Sequence, residues 1–216
     1  PAILDGFWLD VKLFLIVEVA VLILGLIVAL LRTSRSPALF PIRALTVVYV
    51  DVFRGIPTVL MVYLVGFGIP ALELHGLPTD AAVLGGIALT LSYGAYVAEV
   101  YRAGLDSVDD RQRAAALAVG LTPGQTLRFV VVPQAVRRIA PPLLNDFIAL
   151  QKDVALVSIL GPLEAFRAAQ IDASSNFNYT PLLGAAALYL AVTVPLARLL
   201  DVLRARQRRR GTVVAA

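Results

Sequence analysis

The 216-residue sequence contains no cysteine and a single histidine, His75. Disulfides, thiolate metal sites and cysteine nucleophiles are therefore excluded, and His75 has no second histidine with which to form a metal pair. The chain also lacks a P-loop and the G-x-S-x-G and H-E-x-x-H motifs of hydrolases and metalloproteases. These absences predict a chain that binds no metal or nucleotide cofactor of its own, and they disfavour a membrane-embedded enzyme.

Charged residues are scarce at 16% of the chain, whereas 59% of the residues are hydrophobic. This composition is typical of an integral membrane protein. About 20 mostly apolar residues cross the hydrocarbon core, and the sequence predicts an all-α, polytopic membrane fold. We expect the second of the five candidate spans, which is short, to begin within Leu45–Phe53. The spans are Leu13–Leu31, Pro57–Leu72, Ala81–Ala98, Ile139–Leu160 and Pro181–Leu200.

The arginines are distributed very unevenly between the loops. Four follow the first span, six lie between the third and fourth, and six lie at the C-terminal end, whereas the opposite loops hold only Arg167. Because cytoplasmic loops carry an excess of basic residues, this bias predicts five spans with the N-terminus outside and the C-terminus in the cytoplasm. The net charge of +4 then requires no nucleic-acid partner. The four arginines that follow the first span are Arg32, Arg35, Arg43 and Arg54.

Three terminal or connecting segments have simple interpretations. The C-terminal "RARQRRR" is interpreted as a stop-transfer anchor, with an anionic-lipid site as the alternative. The stretch "ASSNFNYT" is interpreted as a polar connector. The first ten residues lack a basic region and a cleavage site, so no removable signal peptide is predicted.

The stretch "RAAALAVGLTPGQTLRFVVVPQ", from Arg113 to Gln134, predicts two short helices joined by a turn. The segment "AAALAV" favours a helix, and Gly120 follows where a left-handed C-terminal cap is needed. Thr122 is a candidate N-cap, followed by proline at the first helical position and by Gln125 three residues later, which completes a capping box. The second helix is expected to extend to Pro133.

This hairpin carries small and apolar side chains on a segment that the charge bias places in the cytoplasm. Docking into another protein is one explanation. A helix lying on the lipid surface is a second. A DNA-binding helix-turn-helix would need base-reading side chains and freedom from the bilayer, and the hairpin is tethered to spans on both sides. The small and apolar side chains of the hairpin are those of Ala115, Ala116, Leu117 and Val119.

The chain resembles the membrane permease subunits of ATP-binding-cassette (ABC) importers, specifically the polar amino acid uptake family. That family has an EAA motif in a cytoplasmic loop, then a glycine, then Pro-Gln. Here the triplet is Ala114 to Ala116, with Ala114 in place of the usual glutamate and Arg111 where a preceding glycine is expected. Four further stretches match in order: "VFRGIPTVLMVYLVGFGIP", "AYVAEVYRAGLDSV", "NDFIALQKDVALVSILG" and "YTPLLGAAALYL".

The resemblance implies a type I ABC importer permease fold, with residues 1–216 as one transmembrane domain and residues 109–134 as its cytoplasmic coupling hairpin. It also implies a multi-pass protein of the bacterial inner membrane that moves a polar or charged amino acid into the cytoplasm. A stand-alone channel or secondary transporter is the alternative. The residues expected to couple to the ATPase are Ala114, Ala115, Ala116, Leu117, Gly120, Leu121, Thr122 and Pro133.

The same resemblance implies a set of partners. These are ABC ATPase subunits, which use ATP and Mg²⁺, a second permease subunit of the same or a similar kind, an extracytoplasmic substrate-binding protein and membrane lipid.

Ionisable residues inside predicted spans are candidate functional residues, because a charge near the bilayer centre costs at least about 2.5 kcal/mol. Lys152 and Asp153 could form a neutralising pair in a pathway or gate, or each could make a structural contact with another helix. Asn145 and Asp146 lie two turns earlier and could share the face of Lys152. Glu99 could line the pathway or form a salt bridge with the arginine three residues later.

Three further features concern helix contacts and boundaries. Glu18 is isolated among aliphatic residues, where a substrate contact and a partner-subunit contact are both open. Residues 54–57 combine a charge, a glycine and a proline, and predict a helix boundary at the cytoplasmic face. Small residues let helices approach closely, and those in the third span are Gly85, Gly86 and Gly94.

Overall fold

The computed structural model describes residues 2–33 and 36–214, with side chains described through Ala205. All regular structure in these residues is helical, as the sequence predicts. Two 3₁₀ turns, Pro37–Leu39 and Val154–Leu160, and a π-helical turn, Leu127–Val131, join the α-helices. The helices are α1 Ala2–Thr33, α2 Phe40–Gly55, α3 Thr58–Ala71, α4 Ala81–Asp106, α5 Asp110–Ala118, α6 Pro123–Thr126, α7 Val132–Asp153, α8 Ala165–Asn176 and α9 Thr180–Val214.

Helices α1 and α4 form the centre of the bundle and pack along each other in parallel. The close approach depends on glycine: a Cβ at Gly94 would lie 2.8 Å from Leu24 Cδ2, and one at Gly25 would lie 2.6 Å from Val97 Cγ1. The predicted packing role of the third-span glycines is therefore confirmed. Helices α3 and α7 pack against other sides of α4.

The two faces of α1 differ in burial although nearly all of its residues are apolar. Its buried residues recur every three or four positions, and its opposite face leaves large aliphatic side chains exposed. That spacing is the helical period, so the exposed face is suited to contact lipid. The buried side chains include Phe14, Val17, Val21 and Val28.

By length and composition, the described residues contain three helices able to cross a membrane, or up to five if two bent pairs each count as one span. The three are Ala2–Thr33, Ala81–Asp106 and Thr180–Ala205, which include the first, third and fifth predicted spans. The bent pairs contain the second and fourth, so five spans remain a prediction.

The second predicted span is broken at its beginning. Helix α2 ends at Gly55 and α3 begins at Thr58, with a bend of 108° between them. Pro57 lacks an amide proton to continue the α2 hydrogen-bond ladder, and Ile56 before it is extended. The helix boundary predicted at residues 54–57 is confirmed, but the expected start of the span within Leu45–Phe53 is wrong.

The region from residue 139 to residue 180 also departs from the prediction. The α-helix ends at Asp153 and the chain continues as a 3₁₀ turn to Leu160. Helix α8 then includes the first half of the expected connector, Ala173–Asn176, because its alanines recur at helical spacing and bury against α1 and α9. Arg35 and the side chains of the "RARQRRR" tail beyond Ala205 lie outside the described residues.

Candidate functional site

The first helix of the hairpin, α5, has a defined cap at each end. The Asp109 carboxylate accepts a hydrogen bond of 2.8 Å from the backbone N–H of Arg111. At the other end Gly120 has φ +89°, and the N–H of Leu121 donates to the carbonyl of Ala116 at 3.1 Å. The Gly120 N–H also donates to Leu117, which completes a Schellman motif. The predicted left-handed cap is confirmed.

The turn into the second helix is the predicted capping box. The backbone N–H of Thr122 donates to Gln125 Oε1 at 2.9 Å, and the N–H of Gln125 donates to Thr122 Oγ1 at 3.3 Å. The helix does not stop at Pro133, however. It passes through the π turn, in which the Val132 N–H bonds to the Leu127 carbonyl five residues back, and continues directly into α7. The helix therefore accommodates Pro133, which has no amide proton, without ending there. The hairpin is thus continuous with a long bundle helix.

Polar contacts hold the hairpin against the bundle. The Arg113 guanidinium donates to the carbonyl of Leu105 at 2.7 Å, and Arg138 donates to the carbonyl of Ser107. Gln134 Nε2 donates to Gln112 Oε1 at 2.5 Å and so links α7 to α5. Both ends of the hairpin are therefore anchored to the C-terminal end of α4 or to α7.

The hairpin leaves much of its apolar surface uncovered. Val119 is 80% exposed and Phe129 is 60% exposed, with Leu117 and Leu127 about half exposed. Among the predicted coupling residues, Ala116 is buried, Leu121 is half-buried and the others are exposed. An exposed apolar cluster of this kind marks a surface that another molecule covers.

Glu99 on α4 is the centre of an ion-pair network. Its carboxylate contacts Arg32 of α1, lies 2.8 Å from Arg102 Nη2 and lies 3.9 Å from Arg54 Nη1. Arg102 also pairs with Asp106 at 2.9 Å. The salt bridge expected between Glu99 and Arg102 is present, although α4 continues past it to Asp106, and the contacts from α1 and α2 were not anticipated.

A cavity of about 500 Å³ lies beside this network, between α4 and α7. Its lining brings together the charges of Arg54, Glu99, Arg138 and Asp146. Asp146 Oδ2 is buried and has no hydrogen-bond partner in the described part of the chain. The cavity can therefore present groups of both signs to a ligand.

The remaining candidate pathway residues on α7 point in different directions. Asp153 accepts a hydrogen bond of 2.8 Å from the Tyr93 hydroxyl of α4. Lys152 and Asn145 are exposed, and no ion pair joins Lys152 to Asp153 within the described residues. The structure thus brings Asp146 and Glu99 to one cavity and places Asp153 in a contact between helices.

A family model described as "Binding-protein-dependent transport system inner membrane component" matches residues 14–209 of the chain. The chain belongs to this family. It is therefore a polytopic transport permease of the inner membrane and not an enzyme. This membership confirms the resemblance stated from the sequence, and it favours an importer subunit over a stand-alone channel or secondary transporter.

Individual relatives agree with the family. The chain is 36% identical over 189 residues to a probable amino-acid permease protein, YxeN, of Bacillus subtilis, covering 86% of this chain and 83% of that protein. It is 33% identical over 195 residues to the arginine transport system permease protein ArtQ of the same organism, covering 90% and 87%.

Solved structures confirm the fold of the permease. A crystal structure of an amino acid ABC transporter with histidines superposes with a TM-score of 0.84 at 32% identity, covering 95% of this chain and 94% of that chain. An inward-facing MetNI methionine ABC transporter superposes with a TM-score of 0.73 at 18% identity, covering 94% and 95%. The fold is that of the type I ABC importer permeases.

A buried polar cluster far from the hairpin was missed by sequence reasoning. Asp10 is 3% exposed and Glu164 is 1% exposed. The Tyr189 hydroxyl lies 2.8 Å from Asp10 Oδ2 and 3.3 Å from Glu164 Oε2. Glu164 also caps α8 by accepting from the N–H groups of Phe166 and Arg167 at 2.7 and 2.6 Å. A carboxylate beside an apolar run was the available sequence signal for Asp10.

Proposed function

We propose that this permease carries a polar or charged amino acid into the cytoplasm, and that a separate ATPase drives transport by docking on the hairpin of residues 109–134. The observation that carries the proposal is the exposed apolar surface of a hairpin that is fixed at both ends. The amino-acid substrate is supported by the relatives, whose names specify amino acids or arginine.

The hairpin has the mechanical properties that a coupling element needs. Gly120 and the Thr122 capping box fix the turn, so α5 and the helix after it move together. The second helix is continuous with α7, which lines the charged cavity through Arg138 and Asp146. A displacement applied to Val119 or Phe129 by a closing ATPase would therefore reach the cavity without crossing a flexible joint.

The charged cavity is suited to a zwitterionic substrate. Arginine guanidinium groups bind carboxylates in a planar, bidentate geometry, and Arg54 and Arg138 both line the cavity. The unpartnered Oδ2 of Asp146 offers an acceptor to an α-ammonium group. Along the rest of α7, the exposed Asn145 and Lys152 would face the second permease subunit, whereas Asp153 would hold α7 to α4 through Tyr93.

The proposed assembly follows from this arrangement. Two permease subunits, the same or similar, surround the pathway, with ATPase subunits that hydrolyse Mg²⁺-bound ATP on the cytoplasmic side. A substrate-binding protein delivers the amino acid from outside. In this orientation the N-terminus of α1 and the loop containing His75 are external, and the hairpin and the C-terminus are cytoplasmic.

The test is a substitution at Gly120. A β-branched residue in the left-handed region is disfavoured by about 1–2 kcal/mol, so Gly120→Val should deform the Schellman turn and move the docking surface. We expect the variant to insert in the membrane, lose amino-acid uptake and no longer retain the ATPase on co-purification.

The matched control is Gly124→Val. Gly124 lies in α6 with no neighbouring atom within 4 Å of an added Cβ, and its φ is not left-handed. This control should retain uptake and ATPase binding. Full uptake and normal ATPase co-purification by Gly120→Val would refute the coupling role of the hairpin.

A further inference from the structure

An apolar groove of about 570 Å³ lies between α1 and α4, away from the charged cavity and the hairpin. Small residues open it: Ala20 on α1, and Ala82 and Gly86 on α4. The lining is almost entirely aliphatic, and Lys12 supplies its single ionisable group. The groove is open along one side, so in a membrane it would face the acyl chains of the bilayer.

Lys12 is exposed and forms no ion pair with a carboxylate in the part of the chain that the structure describes. Its ammonium group lies 5.6 Å from the ring centroid of Trp8, which is itself exposed. The long apolar run of α1 begins at the next residue, Leu13. Tryptophan and lysine are enriched where a transmembrane helix leaves the hydrocarbon. Lys12 therefore lies at the membrane–water interface.

The length of the groove indicates what occupies it. From Lys12 to Ala20 the α1 axis rises about 12 Å, at about 1.5 Å per residue. This length is close to half of the hydrocarbon core, which is about 30 Å thick. One lipid acyl chain of the same leaflet fits a groove of this depth.

We propose that the groove is a binding site for an anionic phospholipid. One acyl chain lies between α1 and α4 along Ala20, Ala82 and Gly86, and the phosphate lies at the ammonium group of Lys12. An anionic lipid is favoured over a zwitterionic one, because Lys12 has no carboxylate partner in the described chain and a headgroup amine would repel it. The bound lipid would fill the space between the two central helices of the bundle.

The experiment measures the lipid retained by the purified permease. The protein is extracted from membranes, exchanged into detergent containing equal amounts of phosphatidylglycerol and phosphatidylethanolamine, and analysed by native mass spectrometry. The wild type should retain phosphatidylglycerol preferentially. Lys12→Gln should reduce that preference about fivefold, which corresponds to about 1 kcal/mol for one basic residue at an anionic lipid surface. Lys12→Arg keeps the charge and should keep the preference.

A second pair of variants tests the acyl-chain part of the site. Ala20→Leu fills the groove and should reduce retention of both lipids, whereas Ala191→Leu adds the same atoms to an exposed position on α9 and should change neither. Equal retention of the two lipids by the wild type would overturn the proposal. Unchanged selectivity in Lys12→Gln, or unchanged retention in Ala20→Leu, would overturn it as well.

Discussion

Asp10 and Glu164 are two carboxylates buried within reach of one hydroxyl group, that of Tyr189. Like charges repel strongly where the dielectric constant is low, and Asp10 Oδ1 has no hydrogen-bond partner in the described residues. By donating a hydrogen bond to these carboxylates, the Tyr189 hydroxyl therefore stabilises the junction of α1, α8 and α9. The three residues are far apart in the sequence, so no local pattern could have predicted the contact.

Removing this hydroxyl should destabilise the permease. Tyr189→Phe leaves two buried acceptors without their shared side-chain donor, and we expect a loss of about 1–3 kcal/mol, measured as a lower thermal unfolding temperature in detergent. Tyr179→Phe is the matched control, because Tyr179 is 77% exposed and should change stability by less than about 0.5 kcal/mol.

A double variant separates the polar contact from packing. Asn at position 10 can donate a hydrogen bond to Glu164, so Asp10→Asn combined with Tyr189→Phe should recover part of the lost stability. If the two tyrosine variants unfold at the same temperature, the cluster does not stabilise the junction.

At the scale of helices, a helix end could be predicted from the sequence when the contacts that form it join residues close together in the chain. Gly120 and Thr122 determine their caps through residues no more than five positions away, and both caps were predicted correctly. The break between α2 and α3 was also visible in Gly55 and Pro57. Helix α8 was missed although its buried alanines recur at helical spacing, because its polar residues resemble those of a connector.

For the charged candidate residues, most of the contacts join distant parts of the sequence and could not be predicted. The pairing of Glu99 with an arginine three residues away was predictable from helical spacing. Its contact with Arg32 crosses 67 positions and required the packing of α1 on α4. The sequence likewise placed Lys152 next to Asp153 but could not determine that Asp153 would bond to Tyr93.

Glu99→Gln distinguishes an ion-pair role from a pathway role. The side chains of Arg32 and Glu99 are 14% and 18% exposed, and breaking a largely buried ion pair costs about 3 kcal/mol or more. We therefore expect a marked fall in the thermal unfolding temperature of the purified permease. Asp106→Asn removes a carboxylate from the exposed end of the same network and should cost less than about 1 kcal/mol.

Uptake assays complete this test. An unfolding temperature equal to that of the wild type, together with lost uptake, would contradict the structural role and assign Glu99 to the substrate pathway. Reduced stability with uptake in proportion to the folded protein would support the ion-pair role.

At the scale of the whole molecule, the packing of the long helices constrains the topology. Helices α1 and α4 run in the same direction, since Gly86 faces Leu13 and Val17 while Gly25 faces Val97. A chain that crosses the membrane in α1 and again, in the same direction, in α4 must return between them. The bent α2–α3 pair lies in that interval. This geometry supports five crossings over three and agrees with the arginine bias.

Single cysteines can test this topology directly, because the chain has none of its own. Intact cells carrying His75→Cys, Gly124→Cys or Asn178→Cys would be treated with a membrane-impermeant maleimide. Five crossings with an external N-terminus place positions 75 and 178 outside and position 124 inside, so Gly124→Cys should react only after permeabilisation. With α1, α4 and α9 as the only crossings, position 75 would be protected and position 124 labelled, and the arginine-rich hairpin would face outward, where no ATPase could reach it. Labelling of Gly124→Cys in intact cells would therefore refute both the five-span topology and the coupling role of the hairpin.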